Sequence, residues 1–244
     1  MDLRNKRYQI KNSRNSCNQA DGPSQKRKIK PTRRSVSGVY AFKGSDPIPF
    51  ESTLERDFLI RAEFSLSVAQ IIPQPVEVPF IGRNGKNYTY TPDFLVYHQL
   101  EERHYEEYPK PQLVEVKPSA QWRANWREWS PKWKAALSLS KVNGWTFHIH
   151  DESRIRDQLF ENVRFLQRFK RSEFDESENL LLLETVNEMR SVPMHYLLAK
   201  HYIGNDHCIG INHVWHLVAT KRLACDMCRK LNANTALWIP DHVG

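Results

Sequence analysis

The sequence predicts an α/β chain, with a mixed sheet flanked by helices and then a smaller domain of helices closed by a hairpin. Three observations lead there. From about residue 50 to residue 169, helical and strand periodicities alternate. From residue 172 the pattern becomes three short helical runs followed by two strand-like runs. Residues 1–45 carry twelve Lys and Arg against Asp2 and Asp21, a net of +10, with few apolar side chains. Such a segment cannot bury enough apolar surface to fold alone, and it is expected as a basic disordered arm. Three spans follow: an arm over 1–45, a main domain over 46–171 and a second domain over 172–244.

The elements are expected in this order. Phe50 to Phe58 opens a helix whose Leu54, Phe58 and Ala62 recur at i, i+4 and i+8 as one apolar stripe. Ile71 to Phe80 reads as a strand entered through Pro73 and Pro75, with Val76, Val78 and Phe80 alternating. Gly82-Arg83-Asn84-Gly85 is a turn, and Tyr88 to Tyr97 returns as a second strand. The charged stretch from Glu101 to Pro111 belongs on the surface, and Leu113 to Lys117 is the next strand, stopped by Pro118. Trp122, Trp126, Trp129 and Trp133 form a helical stripe in which Ser130-Pro131 acts as N-cap and first position of a restarted helix. That spacing keeps the rings on one side, which favours core packing over base stacking. Trp145 to His150 alternates as a strand, and Asp151 caps a helix running to about Phe169. Leu180 to Met189, Pro193 to Tyr202 and Ile211 to Thr220 read as helices, and Leu223 to Met227 and Ala236 to Ile239 as strands. Three helices and a hairpin are the order of a winged helix-turn-helix, an order that other small α+β domains share.

The chemistry concentrates in the strands. Side chains i and i+2 of a strand share a face, so Glu115 and Lys117 point together. Asp93, after Pro92, lies within the preceding strand run. Taken singly, Asp93 is an ordinary turn residue and Glu115 with Lys117 an ordinary solvent-facing pair. Together, in strands whose apolar pattern calls for burial, two acids and a lysine need a ligand. A divalent cation with a phosphate satisfies all three, as metal-dependent phosphodiester cleavage requires. Glu55 is a third acid; Ser52-x-x-Glu55 is also a capping box, and the metal role is preferred to it. Glu51, one turn earlier on the same face, is the weaker substitute.

Glu55 on the first helix, Pro92-Asp93 and Glu115-Val116-Lys117 resemble the PD-(D/E)xK nuclease pattern. The runs 51–58, 90–94 and 114–118 resemble more closely the TnsA-type transposon-end endonucleases. That resemblance, over about residues 39–169, implies a restriction-endonuclease-like core. It implies metal ligation by Asp93, Glu115 and the Val116 carbonyl, completed by Glu55 directly or through water. Lys117 then orients or helps deprotonate the attacking water. Oxygen ligands point to Mg²⁺ or Mn²⁺, two ions per site. It further implies cleavage of the 5′ strands of double-stranded DNA at transposon ends. The implied partners are a DDE transposase and an AAA+ ATPase docked on the C-terminal domain, in the bacterial cytoplasm at the nucleoid.

Composition trims the alternatives. The formal charge of the chain is +8 and that of its first 45 residues +10, so the remainder carries −2. The basic character therefore belongs to the arm and does not argue for DNA on the folded body. Cys17, Cys208, Cys225 and Cys228 make no disulfide framework in a chain of this length. Cys225-x-x-Cys228 has half the spacing of a zinc ribbon but no second half. No membrane span or signal pattern is read. A stand-alone restriction or repair nuclease, and an inactive DNA- or protein-binding adaptor of the same fold, remain the competing readings.

Overall fold

A computed structural model describes residues 23–26, 36–44, 47–100, 104–202 and 204–240. Most of the expected basic arm, and the start of the charged loop at 101–103, lie outside the described residues.

The chain opens with two short antiparallel strands, β1 (Gly38–Tyr40) and β2 (Ile48–Phe50), leading into helix α1 (Thr53–Phe64). Strand β3 (Val68–Pro73) follows, then a hairpin of β4 (Val78–Ile81) and β5 (Asn87–Tyr90), then β6 (Phe94–His98) and β7 (Gln112–Val116). Helices α2 (Ser119–Ala124) and α3 (Trp126–Val142) precede β8 (Thr146–His150), α4 (Glu152–Ile155) and α5 (Gln158–Leu166). The last third holds α6 (Glu176–Met189), β9 (Val192–Pro193), α7 (Met194–His201), α8 (His207–Ala219), β10 (Ala224–Cys225) and β11 (Ala236–Trp238).

The central sheet runs β3-β6-β7-β8, with antiparallel pairs except for parallel β7 and β8. Its two faces have separate cores. Phe94, Val96, Val114 and Val116 meet Leu54 and Phe58 of α1 on one side. Leu95 and Leu113 meet Trp133 and Ala136 of α3, with Val78 and Tyr90 of the hairpin, on the other. The strand period of two produces this division: consecutive residues of β6 and β7 serve opposite layers.

Four expectations need correction. The single strand from Ile71 to Phe80 is two strands in different sheets, because Gln74 sits between two prolines at φ 45° and turns the chain. The run from Tyr88 to Tyr97 is likewise cut at Thr91-Pro92-Asp93 into β5 and β6. Pro131 does not restart a helix but lies inside α3. Proline leaves the carbonyl four residues back without its usual donor, and here the Ser130 hydroxyl donates to the Arg127 carbonyl at 3.3 Å. The helix begun at Asp151 breaks after Ile155, and Asp157 caps a second one through the Phe160 amide at 2.9 Å.

Packing runs across the expected span limits at both ends of the main domain. Gly38–Tyr40 and Phe42 fall within the supposed arm, yet β1 pairs with β2 and Phe42 is buried against the α1 core. The core of the last third takes in Leu166 and Phe169, ahead of residue 172. Buried Asn162 of α5 reaches the same region, donating to the Met227 carbonyl at 3.0 Å and the Arg229 carbonyl at 2.6 Å. In that region α6, α7 and α8 pack with a three-stranded antiparallel sheet in the order β10-β11-β9. The two-residue β9 carries no readable strand period and was not expected.

His213 is fully buried in this second core, stacked on Phe174 at 4.0 Å between centroids. Its Nδ1 lies 2.5 Å from the Tyr202 hydroxyl and its Nε2 2.7 Å from Asn179 Oδ1. A neutral ring satisfies both neighbours, and burial, then the charges of His216 and Arg222, push its pKa from 6.5 down to about 4. The folded value lies below the unfolded one, so on acidification the unfolded chain takes up the proton first. Stability present above pH 6.5 is therefore lost as pH falls toward 4, by about 3 kcal/mol. Chemical denaturation at pH 7 and pH 4.5 measures this, and His213→Gln should flatten the dependence. Equal pH slopes in the two proteins would show that another group controls the loss.

Candidate active site

The site forms where β6 begins and β7 ends. Antiparallel pairing sets Phe94 opposite Val114, which brings Asp93 beside the Glu115–Lys117 end of β7. The Val116 amide donates to Asp93 Oδ2 at 2.7 Å and fixes that carboxylate across the strand gap. Lys117 Nζ then stands 3.7 Å from Asp93 Oδ2 and 3.5 Å from Glu115 Oε1. Asp93, Glu115, Val116 and Lys117 are thus brought together, with the Val116 peptide part of the same wall.

Glu115 is 1% exposed, and both its oxygens are engaged. The Tyr90 hydroxyl donates to Oε2 at 2.5 Å, and Lys132 Nζ lies 3.4 Å from Oε1. The Lys132 ammonium is in turn boxed by aromatic faces, 4.6 Å from the Tyr90 centroid, 4.8 Å from Trp129 and 5.5 Å from Trp133. An ammonium over ring faces keeps electrostatic stabilisation after losing its water. Sequence reasoning missed Tyr90 and Lys132. The tryptophan stripe was the available signal: Lys132, next to Trp133 in the sequence, rides the helix face turned to the sheet.

Glu55 comes to this cluster from a different element, and its charge is felt at both Asp93 and Lys117. It heads α1, on the sheet face served by Val114 and Val116, whereas Glu115 points to the α3 side. Both its oxygens are held at the helix start: Ser52 Oγ donates to Oε1 at 2.9 Å and the Glu51 amide to Oε2 at 2.7 Å. The Ser52 hydroxyl accepts from the Glu55 amide at 3.1 Å, a cap like the capping box but with the Glu51 amide as the backbone donor to Glu55. Glu55 nevertheless shares the field of the site. Burial pushes its pKa up, and of the charges around it Lys117 pulls it back.

The electrostatics are those of crowded acids. Burial first, then the Glu115 carboxylate, hold Asp93 well above the usual carboxylate range, against the pull of Lys117. Desolvation draws the Lys117 ammonium down, but Asp93, Glu115 and Glu55 together outweigh it and raise its pKa. Among the described residues no three His, Cys, Asp or Glu side chains gather as a ready-made metal cluster. What the site offers a cation is the buried Asp93 and Glu115 pair, all-oxygen donors whose mutual repulsion a divalent ion would relieve. On that ground the residues present fit a hard divalent metal.

The comparisons agree with the sequence resemblance. The family model for the TnsA-like endonuclease N terminal matches residues 65–152, and that for the TnsA endonuclease C terminal matches residues 154–227. The first span contains Tyr90, Asp93, Glu115, Lys117 and Lys132 but not Glu55. No curated protein matches the chain.

Removing one partner of a buried pair leaves the other uncompensated, at a cost of about 3 kcal/mol. Lys132→Met should lower stability in urea by that order. The double variant Lys132→Met/Glu115→Gln should lose well under the sum of the single losses, since each removes what the other lacked. Additive losses would mean that Lys132 and Glu115 do not interact.

Proposed function

The chain belongs to the TnsA-type transposon endonucleases, and from that premise we propose a divalent-metal-dependent enzyme that cleaves the 5′ strand at each transposon end. The observation that carries the reading is the convergence of Asp93, Glu115 and Lys117 at the ends of β6 and β7. A DDE transposase then processes the 3′ strands, and an AAA+ ATPase docks on the α6–β11 region, which we read as a winged helix. Mg²⁺ or Mn²⁺ is held by Asp93 and Glu115 with the Val116 carbonyl. Glu55, whose oxygens also serve the start of α1, completes the coordination directly or through water. When bound, the ion supplies Lewis-acid activation of water and neutralises charge at the scissile phosphate.

The protein groups have distinct tasks. Lys117 bridges the two carboxylates and is kept charged by them, so it faces the phosphate as a cation and orients the attacking water. Tyr90 and Lys132 hold Glu115 in one orientation, a positioning role. Glu55, Asp93 and Glu115 against Lys117 and Lys132 give a formal charge of −1. One divalent ion brings the set to +1, which matches one phosphodiester; a second ion requires further negative charge from the DNA. The described residues contain no helix long and apolar enough to cross a membrane. We place the protein in the bacterial cytoplasm, at the nucleoid.

Asp93→Ala and Lys117→Ala should each reduce 5′-strand cleavage by about a hundredfold or more, the usual scale for losing a group that acts on the proton or charge in flight. The assay is linear transposon-end DNA with the transposase and Mg²⁺, the nicked strand mapped on a denaturing gel. Circular dichroism and DNA binding should stay close to wild type. Undiminished cutting by both variants would place the active centre elsewhere. Efficient specific cutting without the transposase would favour a stand-alone nuclease.

A further inference from the structure

A second charged cavity lies where the C-terminal end of α1 meets α5 and the end of α8. Its volume is about 310 Å³, and Lys43, Lys170 and Lys221 line it with Glu63, Phe64 and Leu166. Glu63 is the carboxylate among the lining residues, and it is saturated. It accepts from the Tyr40 hydroxyl at 2.7 Å, from the Lys43 amide at 3.2 Å and from Lys170 Nζ at 3.2 Å. The Lys43 ammonium donates to the carbonyls of Ser65 and Val68. Lys221 Nζ lies 5.4 Å from the Phe64 ring, and among the described residues no carboxylate pairs with it. Three ammonium groups against one carboxylate leave a formal +2 over an apolar floor.

Two of these lysines occupy backbone that lysine does not favour. Lys43 has φ 47° and Lys221 φ 64°, two of the four non-glycine residues in the left-handed region among the described residues. Lys221 follows α8 at the position where helices most often carry glycine, its amide donating to the Val218 carbonyl at 3.1 Å and that of Arg222 to Leu217 at 2.9 Å. Glycine or asparagine would fit both turns with less strain. Strained backbone at two residues that line one cavity is a reason to look for a ligand there.

We propose that Lys43, Lys170 and Lys221 form a phosphate-binding site at the seam between the nuclease body and the C-terminal helices. A phosphate group supplies negative charge and several acceptor oxygens in a volume the cavity accommodates, and it adds counter-charge where three ammonium groups share one carboxylate. Burial, then repulsion from Lys43 and Lys170, lowers the pKa of Lys221 to about 8, against the opposing pull of Glu63. Glu63 lies eight residues beyond Glu55 on α1, about 12 Å along the axis. The site is therefore separate from the cleavage centre and does not depend on the reading given for it.

The test uses the full chain carrying Asp93→Ala, so that DNA stays intact. Pyrophosphate and inorganic phosphate are titrated calorimetrically at constant ionic strength against chloride. Lys221→Gly removes the ammonium while relieving the backbone, and Lys170→Met serves as a second variant should the first not fold. Saturable binding weakened tenfold or more in either variant supports the site; no binding, or equal binding in parent and variants, overturns it. Duplex DNA then identifies the source. A loss of affinity in Lys221→Gly, with the salt slope falling by about one, assigns a backbone phosphate. Unchanged DNA affinity alongside lost pyrophosphate binding assigns a free phosphate compound.

Discussion

The structure turns on one buried carboxylate. Glu115 sits in the middle of a sheet at 1% exposure, where an isolated charge would be prohibitive. It is stable because three elements bring it donors: Tyr90 from β5, Lys132 from α3, and Lys117 two residues along its own strand. Each donor fixes the position of what carries it. The hairpin must fold back over α3 so that Tyr90 arrives, and α3 must lie with its tryptophan face inward so that Lys132 does. The aromatic cluster on that side of the sheet is thus also a dry box for an ammonium ion.

The two faces of the sheet divide the work accordingly. The α1 face is conventional packing, with Phe58 stacked on Phe94 at 5.3 Å. The α3 face mixes apolar contacts with the buried charges. The acids meet at the strand ends, where alternation no longer separates the faces and Lys117 can answer both Asp93 and Glu115. Glu55 feels this charge from the other layer while its oxygens finish a helix cap. One residue thereby links the start of α1 to the electrostatics of the cleft.

What could be read beforehand follows from the range of the interactions. The pairing of Glu115 with Lys117 depends on strand period alone, and the stripe Leu54, Phe58, Ala62 on helix period alone; both are local and legible. Asp93 was placed by its motif. Tyr90 and Lys132 depend on how a hairpin and a helix dock, information that no window of sequence contains. The breaks at Gln74 and at Asp93 were missed because apolar residues continue on both sides of each bend. Pro131 was misread because a single hydroxyl, Ser130, takes over the carbonyl that proline abandons. Three-residue β1 and two-residue β9 are too short to show any period.

The seam between the halves has a consequence for how such a chain can be inherited. The family match changes over between residues 152 and 154, ahead of α5, and α5 is the element that both halves use. Its Leu166 joins the C-terminal core, while Phe160 and Val163 pack on Ile60 of α1. Asn162 holds the loop after β10 by three hydrogen bonds. A recombination joint at residue 153 would carry α5 away with the C-terminal half and ask that the new nuclease half present a compatible α1 and a pocket for Ile155. A joint at 171 would leave Leu166 and Asn162 with no partners on one side and a hole on the other. Exchange of C-terminal halves is therefore channelled to one narrow stretch, and α1 is the main surface that must match across it.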